Sequence, residues 1–120
     1  MTPLTRTGNN RRTMKLTSQE ERLLRELADA LRKQFNALEI EICGSAARGE
    51  LEDGSDIDLF VVLPEVDWHL EKQITDLCFQ TELQCGRVVS AMCFTPRELQ
   101  DTPLRSSPLV QAVRREGVGL

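Results

Sequence analysis

The chain has no tyrosine, one tryptophan and one histidine, and only 4% of its 120 residues are aromatic. Proteins that hold single-stranded nucleic acid stack bases on aromatic side chains, so this composition argues against such a platform. A net charge of −4 argues the same way, because a dedicated nucleic-acid surface is basic. None of the four cysteines forms a C-x-x-C pair, and with His69 as the sole histidine a zinc site lacks its ligands. His69 follows Trp68 near the start of an expected helix and reads as a surface or packing residue rather than an acid–base group. No apolar run reaches the ~20 residues that span a bilayer, and the N-terminus has no signal-peptide apolar segment. Three of Cys43, Cys78, Cys85 and Cys93 lie in apolar stretches, where a reduced thiol acts as a small hydrophobe. That pattern implies a reducing, cytoplasmic setting.

What is present is ordinary for a globular protein: 40% hydrophobic and 28% charged residues, enough for one modest core. Residues 1–15 are polar, basic and without periodicity, which predicts a flexible tail ahead of a single domain over 16–120. Thr17-x-x-Glu20 is a capping box, and Leu24, Leu27, Ala28, Leu31 and Phe35 follow at helical spacing, predicting a helix over 18–35. Leu38, Ile40 and Ile42 alternate with Glu39 and Glu41 in a first strand that runs into Gly44. A short helix is expected from Ser45 to Gly49, a turn around Asp53-Gly54, and a second strand from Asp56 to Leu63. A second long helix over 66–83 and a Val-rich third strand from Arg87 to Phe94 follow. Pro96 opens a short helix, and Ser107-Pro108 opens a last one that Gly117 is placed to end. The order predicts an α/β domain, a small mixed sheet with helices packed on one side.

Two acids stand at i and i+2 in an apolar strand: Asp56-Ile57-Asp58-Leu59. On a strand they share a face, about 6.6 Å apart at Cα. Like charges held so close repel and lose hydration, a conflict that a bound cation resolves. Ten residues upstream, Gly44-Ser45 offers a tight turn whose amides and hydroxyl can hold phosphate. Phosphate next to a hard cation points to chemistry on a nucleoside triphosphate. Arg48, one turn beyond Ser45, either neutralises a phosphate oxygen or pairs with Glu50 or Glu52. Ser45 alternatively caps the segment after it.

The stretches Ile42-Cys43-Gly44-Ser45-Ala46-Ala47-Arg48-Gly49-Glu50 and Gly54-Ser55-Asp56-Ile57-Asp58-Leu59-Phe60-Val61-Val62 resemble the minimal nucleotidyltransferase family of the DNA polymerase β-like superfamily. The tail from Ser107 to Val118 is similar to the closing segment of small bacterial members. The resemblance implies a polymerase β-like core that transfers AMP from ATP to an acceptor. Gly44, Ser45 and Arg48 would bind the nucleotide, and Asp56 and Asp58 would hold Mg²⁺ or Mn²⁺ as the catalytic acids. It also implies an antitoxin role, with a helical HEPN-type toxin as the partner protein that is adenylylated. One departure stands out. The superfamily places a third carboxylate on a neighbouring strand, and here that strand reads Arg87-Val88-Val89-Ser90-Ala91-Met92-Cys93-Phe94. Ser90 takes the expected place, with Glu82 and Glu98 as flanking substitutes. The alternative is therefore a catalytically degenerate domain that neutralises its partner by binding.

Overall fold

The computed structural model describes residues 16–52 and 54–120. The tail expected over 1–15 lies outside the described residues. Helix α1 (Ser18–Phe35) begins at the reciprocal box expected for it: the Thr17 hydroxyl accepts from the Glu20 amide and the Glu20 carboxylate accepts from the Thr17 amide. It ends at Asn36, which adopts φ 58°. The chain then forms β1 (Glu39–Cys43), β2 (Ile57–Val62), α2 (Trp68–Cys85) and β3 (Val89–Phe94). The α3 helix (Pro96–Asp101), a 3₁₀ turn (Pro103–Ser106), α4 (Pro108–Glu116) and β4 (Val118–Gly119) complete it.

Helix α2 starts two residues later than its periodicity suggested. Asp67 caps it by accepting from the Leu70 amide, and Gly86 stops it. The expected helix over 45–49 is instead a single turn. The Arg48 amide donates to Gly44 O, but Gly49 and Glu50 close back on Ala46 and Ser45. That double closure is the pattern that ends a helix, so propagation stops as soon as it begins.

The sheet order is β3-β2-β1-β4, with β2 and β3 parallel and the other pairs antiparallel. Directly paired residues share a face, so the register sorts the two sides. Ile40, Ile42, Ile57, Leu59 and Val61 face α1 and α2 in the main core. The two long helices pack on this side, as expected for the helices of the domain. The short C-terminal helices cover part of the other: Leu99 of α3 and Val110 and Val113 of α4 pack on Cys43, Phe60 and Val62. The part of that second face nearest the start of β2 carries the acids.

Candidate active site

The site is built where the end of β1 meets the start of β2. Asp58 pairs with Cys43 in the antiparallel register, so Gly44 emerges beside the Asp58 side chain. Gly44 holds φ 73°, a conformation that favours glycine, and a Cβ placed on it would lie 3.0 Å from Asp58 Oδ2. The absent side chain is thus what lets the turn lie against the carboxylate. Gly44→Ala is expected to lose about 1–2 kcal/mol from backbone strain alone and to displace the Asp58 carboxylate. Urea unfolding reads the first effect and nucleotide affinity the second.

Within the turn, no hydrogen bond among the described residues uses the Ser45 hydroxyl or the amides of Ser45 and Ala46. The capping alternative for Ser45 is not the one adopted, and three donors remain unspent next to the acids. Arg48 follows the other reading offered for it. Its guanidinium pairs with Glu50 at 3.0 Å and with Glu116 of α4 at 3.6 Å. The turn carries Arg48 but does not bring it to the two aspartates as a free cation.

Asp56 is exposed and Asp58 half-buried, and neither has a cationic partner among the described residues. Burial, and then the neighbouring Asp56 charge, push the Asp58 carboxyl above its usual range. Two oxygen donors of one sign, one of them short of water, fit a hard divalent cation completed by phosphate oxygens. Cys43, whose thiol donates to Asp58 O at 3.5 Å, is a spectator. Burial and the charges of Asp58 and Glu41 raise it to about 11, so it is not a nucleophile at neutral pH.

Ser90 stands opposite Asp58 in the parallel β2–β3 register and is exposed, so it shares the acid face. The flanking acids do not reach the pair by another route. Glu82 accepts from the Val89 amide, and Glu98 is spent in a capping box with Thr95 at the start of α3. Among the described residues no third His, Cys, Asp or Glu joins Asp56 and Asp58. His69 lies edge-on to Trp68 at the surface, away from any such role.

Two arginines support the site in ways no local pattern announces. Arg87 bonds Glu20 of α1 at 2.7 Å and donates to Glu52 O at 2.7 Å and Ser55 O at 3.2 Å. It clamps the loop that delivers Asp56. Arg114 of α4 pairs with Glu39 and lies 3.7 Å from the buried Glu41. Its guanidinium also sits over the Phe60 ring. This fastens α4 to the acid-bearing face, where helix-end electrostatics alone would have left Arg114 in solvent.

Residues 24–109 match the family described as nucleotidyltransferase domain. A crystal structure from Sulfolobus solfataricus, named a "putative nucleotidyltransferase", superposes with a TM-score of 0.47 at 21% identity, covering 84% of this chain and 78% of that one. No curated protein sequence matches the chain.

Proposed function

Since the chain belongs to the nucleotidyltransferase domain family, we propose that it transfers AMP from ATP to an acceptor protein. The observation that carries this reading is the apposition of turn and acid, with Gly44 packed against the Asp58 carboxylate. Phosphate held on the turn would lie directly beside the two acids. The Ser45 hydroxyl and the Ser45 and Ala46 amides would donate to β- and γ-phosphate oxygens. Asp56 and Asp58 would hold Mg²⁺ or Mn²⁺, which when bound offsets charge on the triphosphate and on the leaving pyrophosphate. The acceptor oxygen then attacks the α-phosphorus in line, and the bond to the β-phosphate oxygen breaks. Arg48 would join only by exchanging Glu50 or Glu116 for a phosphate oxygen. The acceptor class, a helical HEPN-type toxin, rests on the resemblance of the Ile42–Glu50 and Gly54–Val62 stretches to minimal nucleotidyltransferases.

Ser90 favours a second reading. With a hydroxyl where the superfamily's third acid is expected, the described residues supply no general base for the acceptor's proton, a loss of about 10²–10⁴-fold in rate. A site so weakened could serve a protein that neutralises its partner by binding alone. Incubation with α-labelled ATP, Mg²⁺ and a HEPN-type partner separates the two. Label on the partner supports transfer; a tight complex without label supports binding alone.

Ser45→Ala tests the turn itself. It is expected to weaken triphosphate binding by about 1.5–3 kcal/mol, the worth of a hydrogen bond to a charged group. Folding should be nearly unchanged, because the hydroxyl caps nothing. Calorimetry with Mg-ATP checks the affinity, and unchanged binding would remove Ser45 from the site.

A further inference from the structure

Helix α2 carries apolar side chains on two opposite sides. Ile74 and Cys78 point into the core. Facing away from it, Trp68, Phe79 and Leu83 are 74%, 50% and 65% exposed. At 3.6 residues per turn these three fall within about 60° of arc. Single exposed hydrophobes are common, but a stripe of three large ones along one helix marks a contact surface. Two charges lie in the same stripe, Lys72 and Asp76. Both are exposed, and neither makes an ion pair among the described residues.

We infer that this stripe pairs with the same stripe of a second copy of the chain. The two α2 helices run antiparallel about a twofold axis level with residue 74. Charge sets the register. When Lys72 faces Asp76 of the second copy, Trp68 comes opposite Gln80, about 1.5 Å along the axis from Phe79. The same register therefore makes two ion pairs and two Trp68–Phe79 contacts, the self-complementary arrangement that a twofold interface requires. Moving the axis to residue 76 would instead set Asp76 against its own copy. The α2 helix lies on the sheet face opposite Asp58, so pairing leaves both acid sites open. The area is modest. At about 150–250 Å² for each buried aromatic, the total falls near or below the ~1,200 Å² at the low end of stable interfaces. A dimer on so small an area is expected to exchange with monomer as concentration changes.

Sedimentation of the full chain over a concentration series tests this. The mass should rise from 13.6 kDa toward twice that value. Fluorescence of Trp68, the sole tryptophan, should shift to the blue in step. Leu83→Glu and Lys72→Asp should each leave monomer at every concentration, with circular dichroism confirming intact helices. The double variant Lys72→Asp/Asp76→Lys should restore the dimer, because reversed charges match again across the axis. A wild-type chain that stays monomeric throughout would overturn the proposal. So would a dimer that survives Leu83→Glu. A double variant that remains monomeric would overturn the Lys72–Asp76 register and with it the proposed pairing.

Discussion

Asp58→Asn is expected to lower nucleotidyl transfer by about 10²–10³-fold, the usual cost of removing one preorganised charge-stabilising group, while making the metal-free protein more stable. The two effects share one cause. Asp58 is half-buried against Gly44, the nearby Asp56 charge raises its carboxyl further, and neither acid has a cationic partner among the described residues. In the folded chain without metal its charge is a cost; with metal and triphosphate bound as proposed, it would become a ligand. An amide of the same shape removes the repulsion and the ligand together. Melting in chelator should therefore place the variant above the wild type. Addition of Mg-ATP should raise the wild-type transition and leave that of the variant in place, since only a species that binds the folded state stabilises it. A variant that transfers label at the wild-type rate would be fatal to the proposed site. Loss of activity accompanied by a lower melting point in chelator would instead assign Asp58 to the fold.

Arg87→Ala should cost about 3 kcal/mol of folding free energy, the low end for stripping one partner from a buried ion pair. Arg87 and Glu20 are only 13% and 12% exposed in their side chains, so the carboxylate left behind would be poorly solvated. The same substitution frees Glu52 O and Ser55 O, so the loop leading to Asp56 loses its anchor. Metal-dependent nucleotide affinity should then fall more than affinity without metal. Arg87→Lys should recover part of the stability but not the fork that holds three oxygens at once. The pH dependence carries a defined sign. Burial alone would raise the Glu20 carboxyl, but hydrogen bonds from Thr17 and the Arg87 pair outweigh it and lower it below its ordinary 4.5. A lowered acid contributes stability that is present above the ordinary value and lost as pH falls through the folded one. The gap between wild type and Arg87→Ala should be full at neutral pH and narrow in acid. A gap constant down to the acid transition would mean that the pair contributes nothing to the clamp.

Local chemistry made most of the elements and part of the site readable in advance. Thr17 and Glu20 begin α1, Ser107 and Gly117 bound α4, and the alternation of Asp56, Ile57, Asp58 and Leu59 announces a strand whose start carries Asp58 between core residues Ile57 and Leu59. Those signals act over a few residues, and the resulting periods of 2 and 3.6 survive any tertiary arrangement. The spacing of Gly44-Ser45 from the two aspartates was legible for the same reason. The length of the segment after Ser45 was not, because its closure at Gly49 depends on backbone bonds with no residue pattern of their own. Strand β4 is two residues long and exists only because the open edge of β1 accepts it.

The sequence by itself thus determined the strand–turn–acid order, the capped ends of α1 and α4, and the absence of an acid on β3. Only the tertiary structure decided that Gly44 lies against Asp58, that Ser90 stands level with Asp58, and that Glu82 and Glu98 are engaged elsewhere. It also decided that Arg87 joins residues 67 and 32 positions apart in the chain. The physical reason is range. Propensity, capping and alternation act between neighbours, whereas register and ion pairing are fixed by which surfaces the core brings together.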